Sequence, residues 1–241
     1  IIDPNRPTSQ KNAIISGGYR LLKIDTLDNR PISDDILEKL IEMVKQTSGN
    51  AVVFSDFRHG IFNRMSVPSL IQAIPKGAFR VADSQVASRW GNITEFKGFD
   101  LITPNEREAR FALGDQDSTL GHLAGILNES ADFQNLILKL GDRGVFCLSS
   151  NPNSNEKTSN YSIDSFTSNL VDAVGAGDAL LAYATLAMLA TGSLVIAGIL
   201  GSMAAACECE CDGNIPISIE NLLAKIDSVE EMTGYETSAR K

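Results

Sequence analysis

The stretch "DAVGAGD", Asp172 to Asp178, sets two glycines around an alanine and closes on an acid at the head of a long apolar run. Gly175, Ala176 and Gly177 let the backbone come close to a ligand. The first-turn N–H groups of a helix have no partner within it, and with the helix dipole they favour an anion. Asp178 therefore does not belong there as one more anion. It is placed to take a proton from a hydroxyl while the adjacent amides hold developing negative charge. A hydroxyl attacking a phosphoryl group needs that pair of functions. The plainer alternative is an acid capping a helix, which is common.

Two further stretches hold chemistry-bearing residues. In "TPNERE", Asn105 and Glu108 lie three apart just after Pro104. In a first helical turn that spacing puts both on one face. Oxygen ligands so arranged suit Mg²⁺, usually through water, although Asn caps and first-turn Glu residues are routine. In "KLGDRG", Gly141 and Gly144 flank a tight turn, and alone the segment reads as a hairpin.

The elements that must position these residues are legible as short apolar runs alternating with helical patterns. Residues 11–31 read as strands around "SGG". Residues 33–47 read as an amphipathic helix with Ser33 as N-cap and a stripe of Ile36, Leu37, Leu40, Ile41 and Val44. "AVVFSD" (51–56) and "FRVAD" (79–83) read as strands ending in an acid, with a helical pattern at 67–74 between them. "DLITPNEREARFAL" (100–113) is a strand, then Pro104, then a helix, and 135–150 is a hairpin across "GDRG". The last third is mainly helical, closing near 218–226. Residues 149–160 form a polar loop. This alternation predicts an α/β fold with a largely parallel sheet. Function then gathers beyond the carboxyl ends of the strands, where Asp56, Asp83, Asn105 and Glu108 stand.

Taken together, strand–"PNxxE"–helix, then "LGxxG", then "DxxGAGD" opening an Ala-rich helix resembles the ribokinase-like sugar kinases of the PfkB family. "VDAVGAGDA" matches that signature with Val174 where Thr or Ser is common. "SDFRHG" resembles the family's strand-end acid followed by an aromatic and a Gly, with His59 where Lys is frequent. "VADSQ" resembles a further strand-end acid. The resemblance runs from about residue 6 to 227. Within the family, "RPTSQK", "YRLLKID", "DSQ" and "LITPNEREAR" are most similar to heptose-7-phosphate kinases of lipopolysaccharide core synthesis.

The resemblance implies a three-layer α/β/α fold with a mainly parallel central sheet and the remnant of a small β lid. It implies two parts: residues 1–31 as the lid remnant and entry strands, and residues 32–241 as an N-terminally incomplete kinase core. Asp178 becomes the catalytic base, and Gly175, Ala176 and Gly177 the anion hole. Asn105 and Glu108 organise Mg²⁺ on the phosphates of ATP, and Asp172 holds the loop beside a monovalent-cation site such as one for K⁺. Lys139, Gly141, Arg143 and Gly144 lie near the nucleotide. The helix from about Val195 to Ala206 walls the adenine pocket, with Met203 where family members often carry Asn. The acceptor is a sugar or sugar phosphate. A nucleoside or other small alcohol is the alternative acceptor, and a catalytically silent nucleotide-binding or regulatory module the alternative function. Pairing of two copies through the lid is a family habit, and a nucleotidyltransferase domain can accompany such a kinase in the native gene product.

Composition sets the outer bounds. The 241 residues suffice for one large domain or two small ones. A net charge of −9 and a pI of about 4.8 argue against nucleic acid or an anionic membrane as partner. Residues 179–207 hold no charged side chain, yet "TGS" (191–193) splits them into two pieces too short to span a bilayer. Two buried helices joined by a tight turn are expected. Cys147, Cys207, Cys209 and Cys211 form no spaced disulfide framework, so a reducing cytoplasm is expected. If "CECEC" is helical, Cys207 and Cys211 share a face, and packing is favoured over a metal site. The chain starts without Met and without a secretory signal, which suggests that a front segment precedes Ile1. His59 and His122 read as structural or solvent-facing, and Trp90 as packing a loop.

Overall fold

A computed structural model describes residues 1–17, 19–85, 93–150 and 159–234. Trp90 and most of the polar loop at 149–160 lie outside the described residues.

The central sheet has six strands in chain order: β3 (Ala51–Asp56), β4 (Phe79–Ser84), β5 (Leu101–Ile102), β6 (Asn135–Lys139), β7 (Val145–Ser149) and β8 (Ser159–Ile163). β3 to β6 are parallel. β7 and β8 are added antiparallel, the first of them across the "GDRG" turn. β1 (Gln10–Ser16) and β2 (Tyr19–Thr26) pair with each other in a separate antiparallel ribbon. Seven helices are described: α1 (Asp34–Lys45), α2 (Ser66–Ala73), α3 (Glu106–Leu113), α4 (Leu120–Ala131), α5 (Ala176–Thr191), α6 (Leu194–Cys209) and α7 (Ile219–Thr233).

Strand parity divides the core into two layers. Successive strand side chains point to opposite faces. Phe54, Ala82, Ile102, Leu136 and Leu138 join one apolar cluster with Leu70 of α2, Ala109 of α3 and Leu123 and Leu127 of α4, and the α1 stripe packs against it. Val81, Leu101, Ile137, Val145 and Cys147 join a second cluster with Leu180, Leu181 and Ala184 of α5 and Ala197 of α6. The result is helix–sheet–helix. Each fully buried Leu or Phe stabilises it by about 1.5–3 kcal/mol. Burial pushes the Cys147 thiol up to about 12, so it acts as a small apolar side chain.

The uncharged run is the hairpin α5–α6, closed by Gly192 at the end of α5 and capped by Ser193, whose side chain accepts from the Ile196 N–H at 3.3 Å. No helix among the described residues is long and apolar enough to cross a membrane. α6 ends at Cys209, so "CECEC" is helical only in part, and Cys211 lies beyond it and shares no helical face with Cys207. Among the described residues no cluster of three or more His, Cys, Asp or Glu forms a metal site. Two elements go beyond the sequence reading: α4, capped by Thr119, and the edge strand β8.

Candidate active site

The carboxyl ends of the parallel strands open into a cavity of about 1410 Å³. Parity decides which side chains enter it. Asp83 follows Val81 on the face toward α5, and Lys139 follows Ile137 on the same face. The two meet: Lys139 Nζ donates to both oxygens of Asp83, at 3.0 and 3.1 Å. Asp83 is buried and Lys139 mostly so. Asp56 follows Phe54 toward the opposite layer. There Arg58 donates to it from Nη1 at 2.6 Å and from its backbone N–H at 2.7 Å, and Ser84 Oγ donates at 3.0 Å. Asp56 does not line the cavity.

The "GAGD" loop also lines the cavity. Gly175 is the N-cap of α5, at φ 92°. A Cβ there would stand 2.4 Å from Glu208 Oε1 and 2.6 Å from Asn214 Oδ1, so both backbone angle and space require glycine. Asp172 steadies the approach, accepting from the Val174 N–H at 3.2 Å, while the N–H groups of Val171 and Asp172 are tied to the Cys209 carbonyl at the end of α6. Ala176 turns its N–H toward the Ala173 carbonyl at 3.4 Å, a long contact. Gly177 and Asp178 follow in the first turn, whose donors an α-helix cannot satisfy internally. A Cβ on Gly177 would lie 3.4 Å from Lys139 Nζ, so the ammonium sits against that loop.

Asp178 lines the cavity. Partial burial and the neighbouring Asp83 raise its carboxyl above the ordinary aspartate value, against the opposing pull of Lys139 and Lys11. Lys11 and Lys23 reach the cavity from the ribbon, and Lys11 stands 5.5 Å from the ring centre of Phe57, another lining residue.

Asn105 and Glu108 also line the cavity. They form a capping box on α3: Asn105 Oδ1 accepts from the Glu108 N–H at 2.7 Å, and Glu108 Oε2 accepts from the Asn105 N–H at 2.6 Å. Asn105 bridges in parallel to Lys139, whose N–H donates to the Pro104 carbonyl at 2.9 Å. The capping residues and the Lys139 backbone are thus one rigid unit. Their oxygens suit a hard divalent cation shared with phosphates, and the cavity wall holds them in place.

Gly141 and Gly144 line the cavity, and Gly144 at φ 80° lies so close to the Ile163 carbonyl that a Cβ would stand 2.0 Å from it. Arg143 and Met203 are not among the lining residues. Arg143 is paired with Glu106, and Met203 is packed in the cluster with Ala204 and Leu222. Its helical neighbours Ser202, Ala205, Ala206 and Cys209 line the cavity instead. Ser202 Oγ is buried without a hydrogen-bond partner, a polar group left for a ligand. His59 offers its carbonyl to Arg6 and His122 is exposed; neither lines the cavity.

Sequence reasoning missed Asp83 as the partner of Lys139, and Ser202, Lys11, Lys23 and Phe57 as lining residues. The parity of Asp83 with Val81 was the one available signal.

A loop of small residues, a carboxylate and an ammonium gathered over the ends of parallel strands define a phosphotransferase-like site on a ribokinase-like fold. Residues 3–221 match the pfkB family carbohydrate kinase model, and the chain belongs to that family. It is 23% identical over 209 residues to the bifunctional protein HldE of Pelobacter propionicus, covering 85% of this chain and 41% of that protein. To the HldE protein of Nitratiruptor sp. it is 23% identical over 246 residues, covering 100% of this chain and 48% of that one. It thus spans less than half the length of these two relatives. Among solved structures, ribokinase from Giardia lamblia superposes with a TM-score of 0.70 at 15% identity, covering 93% of this chain and 72% of that one. Phosphofructokinase-2 from Escherichia coli in complex with potassium gives 0.70 at 17%, covering 87% and 67%. The family implies ATP and a divalent metal in general terms.

Proposed function

We propose that the protein moves the γ-phosphoryl group of ATP to a hydroxyl of a sugar phosphate, with heptose 7-phosphate as the leading acceptor. The observation that carries this reading is the convergence of Asp178, the first turn of α5 and Lys139 on one cavity. Asp178 takes the proton of the acceptor hydroxyl, and its raised proton affinity suits a base. The loop of Gly175, Ala176 and Gly177 faces the charge that develops on the transferred group. Gly141, Gly144 and Ser202 stand on the nucleotide side, with Ser202 as a polar contact on α6. Asn105 and Glu108 would hold Mg²⁺, which supplies charge neutralisation on the phosphates when bound. Asp172 would border a K⁺ ion.

An anionic acceptor is favoured over a neutral sugar or a nucleoside because Lys11 and Lys23 reach the cavity in a chain of net charge −9. Heptose phosphate is supported by the resemblance of the "DSQ" and "LITPNEREAR" segments and by the relatives named HldE. Residues 1–31 serve as the lid of a core formed by 32–241. The exposed Ile15, Tyr19 and Leu21 of the ribbon support pairing of two copies through it. The cysteines, free among the described residues, fit a reducing cytoplasm.

The test is ADP release by the full-length protein given ATP, Mg²⁺ and a panel of heptose phosphates, other sugar phosphates, free sugars and nucleosides. Asp178→Asn is expected to slow turnover by about 10²–10⁴-fold with ATP affinity nearly intact. Normal turnover in that variant would show that the base lies elsewhere, and silence across the panel in the wild type would remove the kinase reading.

A further inference from the structure

We infer that Lys139, held by Asp83, is a second catalytic group: its ammonium neutralises the phosphoryl group in flight, and Asp83 is the positioning residue that aims it. The inference rests on the proposed phosphotransfer and adds a residue pair to it.

The geometry separates this pair from an ordinary structural ion pair. Asp56 and Arg58 show what the structural kind looks like here: both side chains are sealed, and neither lines the cavity. Asp83 and Lys139 both line it. An ammonium has three N–H donors, and the oxygens of Asp83 take two. The Nζ atom also lies within van der Waals reach of where a Gly177 Cβ would stand. The ammonium thus stands beside the first turn of α5, whose backbone donors favour an anion. Without Lys139, the part of the cavity beside Gly177 would present the carboxylates of Asp83 and Asp178 to an incoming polyanion. With it, a positive charge stands under the loop and is fixed before the substrate arrives, so little reorganisation is needed during reaction.

The step balances without any change in Lys139. The acceptor oxygen forms its bond to the γ-phosphorus and Asp178 takes the acceptor's proton. The bond from phosphorus to the β–γ bridging oxygen breaks, and its electron pair stays on ADP. Lys139 remains an ammonium throughout and offsets charge on the transferred oxygens.

The charged groups facing Asp178 are Asp83 of β4, Lys139 of β6 and Lys11 of β1. Asp83 raises the proton affinity of Asp178, while Lys139 and Lys11 lower it. Lys139→Met should therefore move the acid limb of the kcat profile to higher pH, and Asp83→Asn should move it to lower pH. These opposed shifts report that the pair faces Asp178; the role of Lys139 itself is read from turnover and from the fluoride complex.

The experiment takes three variants of the full-length protein: Lys139→Met, Asp83→Asn and the double variant. The double variant removes both charges and so leaves none unpaired should the single ones fold poorly. Turnover in Lys139→Met and in the double variant is expected to fall about 100-fold or more, with KM for ATP changing less than about threefold. Calorimetry with ADP alone and with ADP plus aluminium fluoride gives a second readout without acceptor. The wild type is expected to bind ADP more tightly when the fluoride is added, and Lys139→Met and the double variant to lose that gain. Wild-type turnover in the double variant, or an undiminished fluoride gain, overturns the inference. A wild type that phosphorylates nothing yet shows a fluoride gain that depends on Lys139 would sink the proposed acceptor reaction and support the role of Lys139.

Discussion

Two neighbouring strands end in the same way and serve different ends. β3 closes on Asp56 and β4 carries Asp83 one residue before its end, in adjacent registers of a parallel pair: Ser55 lies beside Asp83, and Asp56 beside Ser84. One residue of offset puts the two carboxylates on opposite faces of the sheet. Asp56 turns to the α1–α4 layer, where the side chain and the backbone N–H of Arg58 and the hydroxyl of Ser84 satisfy it out of reach of solvent. Asp83 turns to the α5–α6 layer, where its cation stands at the rim of a cavity. A strand-end acid is thus given its role by the face it occupies and the cation it meets.

The largest effect should come from breaking the sealed pair. Asp56→Ala leaves the buried Arg58 without this carboxylate and is expected to cost about 3–5 kcal/mol, read as a lower urea midpoint. Asp83→Ala should cost clearly less, because Lys139 can turn its charge into the cavity. Equal losses would erase the distinction. Next comes Gly175→Ala. A side chain at φ 92° costs about 1–3 kcal/mol, and it must also displace buried Glu208, so both stability and turnover should drop. Retained activity with an unchanged midpoint would show that the loop has slack. Asn105→Ala removes half of the capping box and should lower stability by about 1 kcal/mol, measurable as a modest shift in the denaturation midpoint. If Asn105 also serves the metal, the Mg²⁺ concentration needed for half-maximal turnover rises in this variant; a cap alone would leave it unmoved. The smallest effect is in the wild type itself. Its turnover should fall on acidification through a limb lying above the ordinary aspartate value of 3.8, because the base works only when deprotonated. A limb at or below that value would mean that Asp178 is not the titrating group.

The layering could be inferred from sequence because strands buried on both faces and helices with one apolar face leave distinct patterns. The α1 stripe and the hairpin across "GDRG" are examples. The "GAGD" turn and the α3 cap were also visible, since each lies within a few residues of chain. The meeting of Lys139 with Asp83 was not, because the two are 56 positions apart and only strand order brings them together. Ser202 was not legible for a related reason. That helix is apolar on nearly every side, so no periodicity distinguishes Met203, which packs inward, from Ser202, which lines the cavity. β8 went unread because "SNYSI" is a polar edge strand that depends on β7 for its pairing.

The α5–α6 hairpin has one more consequence. Asp178 begins a helix whose Leu180, Leu181 and Ala184 belong to the second core cluster, whereas the ribbon that brings Lys11 and Lys23 is exposed along its first strand. Backbone amides in solvent-facing strands trade their hydrogens through small local openings, while those in a core helix do so only when most of the domain opens. These two parts of the cavity lining therefore keep different time. Deuterium should enter the ribbon long before it enters α5, and any change that loosens the packing beneath α5 will reach the "GAGD" loop without touching one of its atoms.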